Sequence, residues 1–235
     1  MTIYRLYLES GPLRKKTMVH VLDLLGCIAN GPTTEEALAR TPQAIRTYLR
    51  FLRRHGEEVK PEEEIETCVA EHITEGTWLG NGDPALLFAP DREPLTQEDL
   101  EKYLRRLAWS RAEIVDLVSE LSEEEMEEKP ARGRSIKAIL EHLFGAEYRY
   151  VRHFGKLEGI QGPGSHIQRS KEELLAWMAV VRASEIKKLR TLLAQPSGDP
   201  DVRSKYAHNA RRALRRLLEH EWEHLMELRE RLQIE

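Results

Sequence analysis

The chain has 235 residues, 40% of them hydrophobic, and 36 basic against 40 acidic side chains give a formal net charge of −4. That apolar share suffices for one large or two small cores, and the near-balanced charge carries no global signature of a nucleic-acid or anionic-membrane partner. No apolar run approaches the roughly 20 residues of a membrane helix, no signal peptide opens the chain, and Cys27 and Cys68 stand far apart without CxxC spacing. These features predict a cytoplasmic protein without a membrane segment, whose two cysteines are buried small side chains rather than a disulfide.

In chain order, Ile3 to Glu9 alternates partially between apolar and polar residues. Ser10-Gly11-Pro12 signals a turn, and Thr17 to Leu22 completes an expected strand pair. Gly31-Pro32 breaks the pattern. Thr33 with Glu36 then forms a capping-box signal, and Ala37, Leu38, Ile45, Tyr48, Leu49 and Leu52 recur at helical spacing until Gly56. After the acidic link around Pro61, Ile65 to Ile73 and Pro84 to Ala89 read as two further strands. Residues 1–92 are thus expected to be a small α+β domain.

From Pro94 onward the pattern turns helical. Leu100, Leu104, Leu107, Ile114, Val115 and Val118 keep a 3.6-residue period that Arg111 interrupts. Ser135 is placed to cap a second helix carrying Ile139, Leu140, Leu143 and Phe144, and glycines 155, 159, 162 and 164 mark a long loop after it. Ser170 with Glu173 opens a third helix, the segment Pro196 to Pro200 ends it, and a fourth runs from near Tyr206 to Leu232. The fold class expected is α+β, predominantly α, with residues 93–235 forming an antiparallel four-helix bundle.

Candidate chemistry concentrates in three histidines. His220 and His224 are four apart, one helical turn, so both imidazoles share a face and can share an ion. His142 lies on another helix, flanked on its own face by Ala138, Gly145 and Ala146, which permit close approach of a neighbour. Three imidazoles with open positions suit a reactive metal, and zinc, nickel, copper, iron and manganese all accept such nitrogens. Singly, a helical histidine is more often a surface or hydrogen-bonded core residue, so the inference rests on the set. Glu221 falls inside the apolar stripe and therefore needs a metal, a histidine N–H or Arg111 as partner.

His220 to His224 also spells the metalloprotease pattern HExxH, but no third ligand follows before Glu235 and no strand is evident to align a peptide. Arg211, Arg212, Arg215 and Arg216 could meet nucleic acid, and a solvated helix face paired with glutamates is the expected reading. Trp109, Trp177 and Trp222 are expected in core or interface packing, with pocket walls as the alternative. His153, His166 and His208 are expected in solvent near loops, or else bordering a pocket.

The string Arg134 to Tyr150 around His142, with His220 and His224 near the chain end, resembles the DinB/YfiT-like superfamily over about residues 95 to 235. That resemblance implies an up-down-down-up four-helix bundle, often dimeric, with His142, His220 and His224 as divalent-metal ligands. It also implies thiol-dependent transfer or hydrolysis of a small molecule, with a low-molecular-weight thiol as a possible co-reactant. Where the superfamily often has Arg-Gly-Gln after the last histidine, this chain has Leu225-Met226-Glu227. The first 60 or so residues resemble the HicB-like antitoxin domain through Leu25-Gly26-Cys27, Gly31, Thr34 to Ala37, Ala44-Ile45 and Tyr48-Leu49. That implies a regulatory, protein-binding or dimerising module, or else a packing appendage.

The function expected is that of a metal-binding protein: a metal-dependent hydrolase or transferase, in which Glu221 accepts a proton or orients a ligand histidine. The alternative is a non-catalytic, metal-stabilised interaction protein or a toxin–antitoxin-like regulator.

Overall fold

The computed structural model describes residues 1–11, 16–83, 86–152, 169–193 and 210–234. Strands β1 (Thr2–Gly11) and β2 (Lys16–Val21) pair antiparallel, with Leu6 opposite Val21 and Gly11 opposite Lys16. β3 (Ile28–Gly31) adds antiparallel to β2, and after helix α1 (Thr34–Arg54) the strand β4 (Ile65–Ile73) returns parallel to β1. The sheet order is therefore β3-β2-β1-β4. β3 was not anticipated, because four residues ending in Gly31-Pro32 read as a break rather than a strand.

Helix α1 forms where its signals predict. The Thr33 hydroxyl accepts the Glu36 N–H at 3.2 Å, acidic side chains occupy the first turn and Arg53 and Arg54 the last, in keeping with the helix dipole. Its face carrying Ala37, Ile45, Tyr48, Leu49 and Leu52 is buried. Tyr48 donates its hydroxyl to the Leu25 carbonyl at 2.9 Å, and Gly26, at φ +106, lies where a β-carbon would collide with that hydroxyl.

The expected strand over Pro84 to Ala89 is corrected. Residues 84 and 85 lie outside the described residues, 86–88 belong to no ladder, and Ala89–Arg92 is a 3-10 turn. Leu86 and Phe88 are buried with Tyr7 and Leu79, which accounts for the apolar run. The N–H of Phe88 goes to the Asp91 carboxylate at 3.0 Å instead of to a neighbouring strand. Cys27 is buried as expected, whereas Cys68 on β4 is exposed.

Helices α2 (Gln97–Ser119), α4 (Ile136–Arg152), α5 (Lys171–Leu193) and α6 (Ala210–Leu232) follow. The short α3 (Glu123–Glu127) sits between α2 and α4 and was missed, although Ser122 and Glu125 form a capping box over it. Ser135 Oγ accepts the Ala138 N–H at 3.2 Å, and Ser170 and Glu173 cap α5 reciprocally at 3.2 and 2.9 Å. Among the described residues no helix is long and apolar enough to cross a membrane. The glycine-marked loop after α4, the segment Pro196 to Pro200, the start of the last helix near Tyr206, and His153, His166 and His208 lie outside the described residues.

Two compact units result. One comprises Met1–Pro94 with α6 through Glu219; the other comprises the helices from Leu95 onward with α6 from His220. The first half of α6 corrects the solvated-face expectation for its arginines. Arg212, Arg215 and Arg216 are buried, and only Arg211 points to exposed main-chain acceptors, the Glu93 and Pro94 carbonyls. Arg215 grips both oxygens of Asp91 at 2.8 and 2.9 Å and also reaches Glu219 at 3.3 Å. Arg216 adds a bond to Glu219 at 2.9 Å, and Arg212 donates to the Leu86 and Asp83 carbonyls. Periodicity missed this because it counts arginine as a surface residue, while a guanidinium with several acceptors can be buried.

His20 on β2 joins the same cluster. It is fully buried, its Nδ1 lies 2.8 Å from Glu219 Oε1, and its Nε2 lies 3.4 Å from Glu9 Oε1. Burial works to lower the His20 pKa, yet the two carboxylates outweigh it and raise the value above the ordinary 6.5. Glu219 is correspondingly held well below the usual carboxylate range: burial opposes this, but His20 and Arg215 prevail.

A candidate metal centre on α4 and α6

Within the helical unit, α6 places His220 and His224 on one face and α4 brings His142 to them. His220 and His224 are buried and His142 is exposed. The Nε2 of His220 is 3.1 Å from the Nε2 of His142 and 3.1 Å from that of His224. One ligand atom from each of the three rings lies within 4.8 Å of the others. Tyr150, two turns beyond His142 on α4, presents an edge-on ring to His220 at a centroid distance of 5.8 Å.

The second nitrogen of His224 decides its tautomer. Nδ1 sits 2.6 Å from Glu227 Oε2, and Arg134 holds the same oxygen at 3.1 Å. The hydrogen bond from His224, with the nearby Arg134 charge, keeps the Glu227 carboxyl below its ordinary range, so it accepts the Nδ1 proton. A neutral His224 with its proton on Nδ1 turns a lone pair at Nε2 toward His220. Partial burial first, then the charge of Arg134, pulls His142 down to about 4, which leaves that ring neutral near pH 7.

This donor set fits a cation. A single ring nitrogen at the centre, His220 Nε2, has either one proton or one lone pair and so cannot satisfy two imidazole nitrogens well by hydrogen bonding. Three lone pairs converging on one ion remove that conflict. Nitrogens about 2.0–2.1 Å from a metal stand about 2.9 Å apart at right angles and about 3.4 Å apart at tetrahedral angles, and the observed 3.1 Å separations fall between these.

Glu221, expected to serve as a proton acceptor or to orient a ligand, faces arginines instead. Arg111 donates Nε to Glu221 Oε1 at 2.6 Å, and Arg182 donates Nη2 to Oε2 at 2.6 Å. Arg111 also bonds Glu147 at 2.8 Å; Arg182 contacts Glu147, and bonds Glu185 at 3.2 Å and the Leu107 carbonyl at 3.3 Å. Burial opposes ionisation of Glu147, but Arg111 and Arg182 hold its pKa well below the ordinary value. Burial and the charge of Glu147 push Glu185 well above it. Arg111 is the arginine partner for Glu221 expected from the sequence; Arg182 and Glu185 come from α5 and Glu147 from α4, and no spacing along one helix relates them to Glu221.

The carboxylate that bonds a histidine of the cluster is Glu227, which stands where the superfamily's pattern often has Gln. Its signal was the i,i+3 spacing from His224, which puts the two on one face. Trp222, between the two histidines in sequence, is buried as expected.

A packed helical unit with a three-histidine cluster between two of its helices defines a class of helical, metal-capable proteins. Residues 106–228 match the sequence model of the DinB superfamily, and the chain belongs to that superfamily. Proteins of this superfamily are generally metal-binding. No curated protein and no solved structure matches the chain.

Proposed function

We propose that the chain is a divalent-metal protein whose ion is held by His142, His220 and His224, and that it acts as a hydrolase or thiol-dependent transferase on a small molecule. The observation that carries this reading is the convergence of three Nε2 atoms, with Glu227 fixing the tautomer of one ring. When bound, a divalent cation such as zinc, nickel, manganese or iron would lower the pKa of a water or a low-molecular-weight thiol enough to supply a nucleophile near neutral pH. His142 keeps its lone pair at that pH, Glu227 holds the Nδ1 proton of His224, and the exposed side of His142 leaves the site open to solvent. In this reading Glu221 is scaffold: both of its oxygens already accept guanidinium N–H groups.

The wider reading places four long helices in an up-down-down-up bundle, with the protein a cytoplasmic homodimer without nucleic-acid or membrane partners. The first unit then serves as a HicB-like module that controls assembly or access through a protein partner; its β-β-β-α-β order supports this. A non-catalytic role, in which the ion only fixes the helices, is the competing reading, favoured by the burial of His220 and His224.

Elemental mass spectrometry of purified wild type and His220→Ala tests the proposal. Near-stoichiometric metal that is lost in the variant is the expected result. Wild type that is metal-free and also refuses zinc, nickel and manganese on titration overturns it. Hydrolysis of an aryl ester or thiol transfer that tracks metal occupancy separates the enzyme from the structural reading.

A further inference from the structure

Arg169 stands two residues before α5, within the helical unit, and is only 7% exposed. Its guanidinium carbon lies 5.5 Å from the centroid of the Phe144 ring on α4 and 5.7 Å from that of Trp177 on α5. Aromatic faces attract the cation, but they supply no acceptor for its N–H groups. Other arginines at comparable depth are answered: Arg182, Arg212, Arg215 and Arg216 each donate to a carboxylate or a carbonyl. Among the described residues no hydrogen bond or ion pair engages Arg169. Its Nε is closed off from solvent without a partner, whereas the two terminal nitrogens are not closed off, so the outer edge of the guanidinium is the part a ligand can reach.

The acids nearest along the chain are engaged with other groups. Glu173 accepts the Ser170 N–H at 2.9 Å, Glu123 accepts the Lys171 N–H, and Glu172 lies 3.9 Å from Lys171 Nζ. A nearly buried cation without a counter-ion is unfavourable, and an anion brought to it interacts more strongly than it would in water. The guanidinium fork matches the two oxygens of a carboxylate through charge-assisted hydrogen bonds. Trp177 is half-buried, so part of its ring is open beside that edge, and it favours an acid with an apolar body over a hydrated inorganic ion.

We infer that Arg169 anchors a binding site for a small organic carboxylate, whose oxygens take the terminal guanidinium nitrogens and whose apolar body rests against Trp177. The site is separate from the three histidines. Phe144 and His142 are two residues apart on α4, about 200° around the helix axis, so their side chains leave it on opposite sides.

The test titrates benzoate, benzamide and inorganic phosphate into the full-length protein labelled with fluorotryptophan, following the Trp177 signal by fluorine NMR. Trp177→Phe assigns that signal. Saturable benzoate binding is expected, at least tenfold weaker in Arg169→Gln and unchanged in His220→Ala, with benzamide and phosphate at least tenfold weaker than benzoate. Arg169→Lys keeps the charge but loses the fork, and should bind benzoate at least threefold more weakly. Absence of a saturable shift overturns the inference, as does benzoate binding that both Arg169 variants leave unchanged. Benzamide or phosphate that matches benzoate also overturns it. Binding that disappears in His220→Ala would place the carboxylate at the histidine cluster instead and would equally overturn it.

Discussion

The two halves of α6 bury charged and titratable groups in opposite ways. Before Glu219, each cationic side chain on its buried face meets an acceptor: Arg215 meets Asp91, Arg216 meets Glu219, and Glu219 also meets His20. From His220 on, the Nε2 of His220 lies 3.1 Å from a ring nitrogen of His142 on α4 and 3.1 Å from one of His224, and the Glu227 carboxylate engages the far nitrogen of His224. In the first half the charges close on themselves and hold the fold. In the second, ring nitrogens from two helices converge, the arrangement that suits an external cation.

The largest effect should come from opening the closed half. Arg215→Met would leave Asp91 and Glu219 buried without their shared cation and should cost about 3–5 kcal/mol in denaturant unfolding. An unchanged midpoint would mean that the cluster does not hold the first unit together. On the open half, Glu227→Gln would remove the acceptor for the His224 Nδ1 proton and should weaken metal affinity about 10- to 100-fold while the fold persists. If the variant instead unfolds and still takes up metal as wild type does, the contrast between the halves is lost.

A pH titration sharpens the comparison further. His20 has a raised pKa, so its stabilising contribution is complete below the ordinary value of 6.5 and disappears as pH rises through its folded value. Glu219, whose pKa is lowered, contributes above the ordinary 4.5 and loses that contribution in acid. Wild-type stability should therefore decline as pH rises from 6.5 through the folded His20 value, with a slope of at most about 1.4 kcal/mol per pH unit, and His20→Gln should flatten it. Parallel slopes in the two proteins would assign the decline to other groups. The smallest effect belongs to the element that carries His142: Ser135→Ala removes the cap of α4 and should cost about 1 kcal/mol by thermal unfolding.

Local signals made much of this legible. Thr33, Ser135 and the Ser170–Glu173 pair announced three helix starts, because capping depends on residues within one turn of each other. The i,i+4 spacing of His220 and His224 is equally local. β3 was too short for its pattern to show, and Leu86 and Phe88 imitated a strand because a buried apolar run looks alike in a ladder and in a loop packed on a core.

By itself the sequence determined where α1, α4 and α5 begin and that two histidines share a turn, since these are properties of neighbouring residues. Only the tertiary structure decided that His142 meets that pair, that Glu227 bonds His224 while Glu221 bonds arginines, and that Arg212, Arg215 and Arg216 are interior. Each of those depends on groups brought together from different elements, or on whether a charge finds a buried partner, and neither leaves a trace in the spacing of residues along one helix.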